Sequence, residues 1–289
     1  MGKNRFHFAI NSNTIKERYS HVEIASLAKK VGCDGIEWGL PPLNEASKVA
    51  PELVRVTKDQ GLEVVSFINA GHLWKQDVIK RWSEIAAQAE VKILRVAPPW
   101  SAGDFKESLH QKSTFNDLIK MAREGMEKLV PLSYEYGIRY VIEIHHGGVA
   151  ASPCLAKNLC KDLDPKAVGI IYDPANGVEE GFLRPRNALE LMEPYLAYVH
   201  AKNVIYEQNT SSLSVKKWNY KVCQLSKGLI DWEEVVFALN TIGYSGWFSF
   251  EGFFLDNSEK ELRIALKYLK ECIIKAPKAI QEPFTSFND

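Results

Sequence analysis

Eight short apolar runs punctuate the chain: Phe6–Ile10, Asp34–Trp38, Glu63–Phe67, Lys92–Val96, Tyr140–Ile144, Val168–Tyr172, Ala197–Ala201 and Trp247–Glu251. They are rich in β-branched and aromatic residues and short enough to be strands. Stretches with apolar residues at helical spacing separate them. His21–Val31 reads as a helix stopped by Gly32, and the segment from Pro51 as one stopped by Gly61. Phe115–Tyr136 reads as a long helix stopped by Gly137. Trp232–Ile242 is capped by Asp231 and stopped by Gly243, and a last helix begins at Ser258. The run starts are roughly 28, 29, 29, 48, 28, 29 and 50 residues apart, so most steps are one strand–helix unit and two carry insertions. Strands alternating with helices predict a parallel sheet. Eight such units in 289 residues predict an α/β chain closed into a (β/α)8 TIM barrel, one domain over 1–289 with a polar extension from about 276. An open doubly wound sheet fits less well, because no G-x-G-x-x-G or P-loop occurs.

Four of the runs end in an ionisable residue: Tyr140-Val-Ile-Glu, Val168-Gly-Ile-Ile-Tyr-Asp, Ala197-Tyr-Val-His and Trp247-Phe-Ser-Phe-Glu. A charge at the end of a buried strand is costly without a partner. In a barrel all C-terminal strand ends face one mouth, where chemistry resides. That geometry would gather Glu143, Asp173, His200 and Glu251 into one site on consecutive strands. Three carboxylates and an imidazole suit one divalent cation, with Mn²⁺ the leading candidate and Mg²⁺, Co²⁺ or Zn²⁺ the alternatives.

Bulk composition narrows the partners. The chain carries 36 basic and 36 acidic residues, so nothing favours a polyanion, and no nucleic acid is expected. No window approaches a membrane span, and the polar opening Met1–His7 does not read as a secretory leader. The five cysteines form no C-x-x-C pair, which fits a reducing cytoplasm. The expected partner is a small carbohydrate or cyclitol. A homo-oligomer or partner subunit is left open.

The segments Gly35-Ile-Glu-Trp, Val141-Ile-Glu-Ile-His-His-Gly-Gly, Ile171-Tyr-Asp-Pro-Ala-Asn, Val199-His-Ala-Lys-Asn and Phe248-Ser-Phe-Glu-Gly resemble those of the xylose-isomerase-like barrels. Leu225-Ser-Lys-Gly-Leu-Ile-Asp-Trp is similar to the stretch these proteins carry between their last two strands. That superfamily includes sugar isomerases and epimerases, inosose isomerases and dehydratases, and a zinc endonuclease branch. The resemblance implies that Glu143, Asp173, His200 and Glu251 hold one divalent metal. It further implies that Glu143 and Glu251 move a proton at the carbon beside a carbonyl while the metal stabilises the enediolate. The chain departs from the ketose 3-epimerases, which carry a histidine where Asn176 stands, a glutamate where Val149 stands, and an arginine near Tyr206. The endonuclease branch needs further histidines for a three-metal cluster; His72 could match one, but Asn176 replaces another and no Asp-x-His follows strand seven.

Further residues are expected around that centre. His145, two residues after Glu143, should share its inward face and serve as a general acid or base. His146 should point outward. Lys202 shares a face with His200 and should meet a substrate oxygen or a carboxylate. Glu37, Trp38, His72, Trp100 and Asn176 are candidate substrate contacts at the mouth, the tryptophans by stacking on a sugar ring. Arg95 should pair with a carboxylate. The insertion 204–224 is expected to be a lid or an interface. The expected activity is a metal-dependent isomerase or epimerase. The alternatives are a lyase on the same site (dehydration of a keto-inositol, or β-elimination from a 3-keto glycoside, C-glycosides included) and a non-catalytic sugar- or metal-binding barrel.

Overall fold

The computed structural model describes residues 6–100, 113–210, 218–252 and 258–276. Seven strands, β1 (His7–Asn11), β2 (Gly35–Gly39), β3 (Glu63–Ile68), β4 (Ile93–Arg95), β5 (Arg139–Glu143), β6 (Val168–Tyr172) and β7 (Leu196–Ala201), precede a hairpin of β8 (Asn203–Gln208) and β9 (Trp218–Cys223). β10 (Trp247–Phe250) then closes the barrel, whose order is β1-β10-β7-β6-β5-β4-β3-β2. All pairings within the barrel are parallel. The expected (β/α)8 barrel is therefore the fold.

The helices outside the barrel follow local signals. α1 (His21–Val31) begins with a capping box in which Ser20 and Glu23 satisfy each other's backbone N–H groups, and it ends at Gly32. α2 (Leu43–Asp59) starts a full two turns before the expected Pro51, which lies inside the helix. α3 is Gln76–Gln88. α4 (Phe115–Tyr136) has its own capping box, Thr114 with Asp117, and ends at Gly137. Three short helices follow: α5 (Pro153–Cys160), α6 (Pro174–Glu180) and α7 (Pro185–Met192). Each begins with proline, whose fixed φ suits a first turn. α8 (Trp232–Thr241) is capped by Asp231, as read, and α9 is Ser258–Lys275. None of the described helices is long and apolar enough to cross a membrane. The expected extension from about 276 lies outside the described residues.

The barrel interior is layered. Its floor is apolar, built from Val141, Ile171 and Tyr198 against Ile93, Ala197 and Trp247. Gly35 makes room there, since a Cβ on it would come within 2.9 Å of the Trp247 ring. Two register shifts interrupt the ladders, at Ile36/Glu37 against β3 and at Ile170/Ile171 against β7. They place Glu37 opposite Ser66 and Ile171 opposite Tyr198. Such irregularities re-aim side chains near active sites.

The longer seventh step is explained by the antiparallel β8–β9 hairpin, which the strand count had not anticipated. It is anchored at its base by Asn203. That side chain donates to the carbonyls of Leu225 (2.6 Å) and Ile230 (2.9 Å) and accepts from the N–H groups of Val204 and Ile230. Gly228 is needed for this clamp, because a Cβ would fall 2.0 Å from Asn203 Oδ1. The clamp fixes the chain immediately after Lys202.

Candidate metal centre

At the mouth, Glu143 ends β5, Asp173 caps α6, His200 lies near the end of β7, and Glu251 follows β10. One ligand atom from each lies within 4.8 Å of the others, and all four residues are buried. His200 Nδ1 is 3.0 Å from Glu143 Oε1, 3.1 Å from Glu251 Oε2 and 3.8 Å from Asp173 Oδ2. The two glutamates come from the outer staves of the β10-β7-β6-β5 run, so they flank His200 and Asp173.

Cations interleave with these acids. Lys202 Nζ is 2.8 Å from Asp173 Oδ2, 3.2 Å from Glu251 Oε2 and 2.8 Å from Asn176 Oδ1. Arg95 pairs with Glu143 Oε2, as read from its strand-end position. Asn176 Nδ2 donates to Glu143 Oε1 (3.2 Å), Asp173 Oδ2 (2.9 Å) and the Ile144 carbonyl (3.1 Å). With Glu37 below, four buried carboxylates share this centre, and Arg95 and Lys202 neutralise two of them. A divalent cation matches the two remaining charges and leaves His200 neutral, as a ligand imidazole must be. The donor set, three carboxylates and one imidazole, therefore fits a divalent metal.

The electrostatics agree with this packing. Burial alone would raise Glu143, but Arg95 and then His200 outweigh it and hold the carboxyl at about 2. Burial likewise opposes ionisation of Glu251, and Lys202 and His200 overcome it, keeping the group well below the usual carboxylate range. For His200 burial works against the charged form. Glu37, Glu251 and Glu143 prevail and lift the imidazole well above its ordinary value. Lys202 is raised by Asp173 and Glu251 against the opposing effect of burial.

The structure relocates several residues expected at the mouth. Trp38 is not there: it is 1% exposed, its Nε1 donates to Thr57 Oγ1 at 2.9 Å, and its ring meets His21 edge-on. Strand alternation explains this, because Glu37 takes the inward position and sends Trp38 outward against α2. Glu37 itself has no exposed surface and contacts His200 from beneath. His145 does not continue the alternation of β5. Its N–H turns to the Ala150 carbonyl and its Nδ1 contacts the His146 carbonyl oxygen, so it sits in a rim loop.

That rim is aromatic. Trp100, 37% exposed, lies against His145 with ring centroids 4.6 Å apart, and His145 against His146 at 4.4 Å. His146, expected to point outward, lies with its Nδ1 3.3 Å from Glu179 Oε2 and meets the Tyr220 ring at 5.7 Å. His72 stacks on Trp74 at 4.4 Å, and its buried Nδ1 has no hydrogen-bond partner among the described residues. One contributor was not recognised in the sequence: Tyr198, an inward residue under the centre, detectable by its place two before His200. Tyr220, within the insertion expected to be a lid or an interface, reaches over from β9 to donate to the Ala175 carbonyl at 3.1 Å. Lys216 and Lys217 of the insertion lie outside the described residues.

The xylose isomerase-like TIM barrel pattern matches residues 25–272. The chain belongs to that family. Among curated proteins, the inosose dehydratase of Geobacillus thermodenitrificans (strain NG80-2) is 27% identical over 169 residues, 55% of this chain. The match spans 52% of that relative's length. Among solved structures, the IOLI protein with a bound zinc atom superposes with a TM-score of 0.73 at 16% identity, covering 93% of this chain and 99% of that one. The 3-keto-D-glucoside 4-epimerase from E. coli gives 0.70 at 18% identity, covering 93% and 100%. At these identities the structural likenesses establish the fold.

Proposed function

We propose that this barrel is a divalent-metal-dependent isomerase or epimerase of a carbohydrate or cyclitol, moving a proton at the carbon next to a carbonyl. The observation that carries the reading is the buried cluster of Glu143, Asp173, His200 and Glu251, with the two glutamates on opposite sides. The metal, when bound, supplies a Lewis acid for the substrate's carbonyl and hydroxyl oxygens and absorbs negative charge that develops on them. Glu143 and Glu251 are ionised, as a group that accepts a carbon-bound proton must be. Lys202 and Asn176 spend their N–H groups on Asp173, Glu251 and Glu143, and Lys202 on Asn176 as well, so they hold the acids in place beneath a substrate lying over the centre. Asn176 can donate but not titrate, so proton movement falls to the glutamates. The aromatic rim of Trp100, His145 and Tyr220 offers apolar faces to the C–H side of a sugar or cyclitol ring.

A relative named an inosose dehydratase, and a neighbour in fold named a 3-keto-D-glucoside 4-epimerase, support this substrate range. A second reading, a lyase that loses water or an aglycone after the same deprotonation, is favoured by the inosose dehydratase relative. His145 at the rim would then protonate the leaving group. The test is incubation with an inosose, a ketose or a 3-keto-glucoside plus Mn²⁺ in D₂O. An isomerase or epimerase exchanges the α-proton and returns an isomer; a lyase releases water or aglycone; a binding protein does neither. Glu143→Gln should abolish exchange. Full turnover after chelation, with no metal detectable by mass spectrometry, would overturn the proposal.

A further inference from the structure

Glu37 is fully buried, one layer below the strand-end donors. A carboxylate in that position persists only if its lone pairs are filled. Oε1 accepts from the Tyr198 hydroxyl at 2.5 Å and lies 3.2 Å from His200 Nε2. Oε2 accepts from the Ser249 hydroxyl at 2.6 Å and lies 3.1 Å from the same nitrogen. Ser66 completes the network, 3.5 Å from Oε1 and 3.0 Å from the Tyr198 hydroxyl. Tyr198 and the two serines hold Glu37 through hydroxyls whose protons rotate to suit the carboxylate. The imidazole N–H cannot rotate about its nitrogen, so the carboxylate dictates which ring nitrogen keeps a proton. Both register shifts serve this contact by setting Glu37 beside Ser66 and fixing the course of β7 through Tyr198.

We infer that Glu37 is a positioning residue that keeps a proton on His200 Nε2 and aims Nδ1 at Glu143, Asp173 and Glu251. The orientation stands on the hydrogen bonds alone; its use in holding a metal rests on the proposed function. Carboxylates behind ligand histidines fix the tautomer and raise the basicity of the ring.

The test uses the full chain with ¹⁵N-labelled histidine and Zn²⁺ as the probe. In the unaltered protein His200 should keep its Nε2 proton with and without Zn²⁺, and only Nδ1 should shift on addition of the ion. In Glu37→Gln the carboxamide nitrogen can face Nε2, so the proton should move to Nδ1 and Zn²⁺ affinity should fall about 10–100-fold. Ser249→Ala leaves the carboxylate in place and should change affinity far less. Coordination of Zn²⁺ through Nε2, or unchanged affinity and Nε2 protonation in Glu37→Gln, overturns the inference. If Glu37→Gln does not fold, the spectrum of the unaltered protein decides. If the unaltered protein binds no Zn²⁺, the metal reading fails. In metal-free protein held above the pH at which the ring loses its second proton, the place of the remaining proton still judges Glu37, on Nε2 supporting the role and on Nδ1 refuting it.

Discussion

Metal uptake should be coupled to loss of a proton from His200, so affinity should rise steeply with pH. In the metal-free protein both ring nitrogens face carboxylates: Nδ1 lies 3.0 Å from Glu143 and 3.1 Å from Glu251, and Nε2 lies 3.1 Å from Glu37. That surrounding overcomes the cost of burial and lifts the imidazole well above its usual range, so it is an imidazolium near neutrality. A ligand nitrogen must be deprotonated. Glu143 and Glu251 are held far below neutrality and contribute no proton near it. The expected slope is therefore one proton per ion. Each pH unit below the His200 value should change Kd about tenfold, or about 1.4 kcal/mol. Isothermal titration with Zn²⁺ in two buffers of different ionisation enthalpy measures both the slope and the proton count. A flat Kd with no proton released would refute the reasoning. The linked stability has a definite sign. A raised folded-state value stabilises the metal-free protein fully below about pH 6.5. That contribution is lost as pH rises through the folded value. Thermal melts of metal-free protein should accordingly decline on the alkaline side.

Lys202→Met removes a 4%-exposed ammonium that is paired with both Asp173 and Glu251. Breaking such a buried pair costs about 3–5 kcal/mol, and a divalent ion should restore part of it; equal melting temperatures with and without the substitution would contradict this. Trp38→Phe should leave kcat/KM unchanged and lower stability by about 1–3 kcal/mol through the lost bond to Thr57, as measured by urea unfolding; an altered KM would return Trp38 to the substrate's side. Tyr220→Phe removes the bond to the Ala175 carbonyl, worth about 1 kcal/mol, and should speed amide exchange in β8 and β9; unchanged exchange would mean that the hairpin is held by its Asn203 base alone.

Local pattern determined much about this protein. Strand-length apolar runs and helix punctuation such as Gly32, Asp231 and Gly137 are short-range signals, set by backbone sterics and capping within a few residues, so the eight-strand barrel could be read directly. The position of an ionisable residue at a strand end is also local, and a closed barrel brings Glu143, Asp173, His200 and Glu251 together. The tertiary structure alone decided how these groups are shared. The network beneath His200 depends on two register shifts, which are set by cross-strand packing and leave no mark in one strand's sequence. His145 left the barrel interior because its backbone bonds to Ala150 rather than to a neighbouring strand. Trp38 moved outward because Glu37 had already taken the inward face, and Tyr220 arrived from a hairpin whose reach spans 45 residues of chain. Long-range pairings of this kind are selected by the whole packed barrel, so they become visible only when every strand is in place.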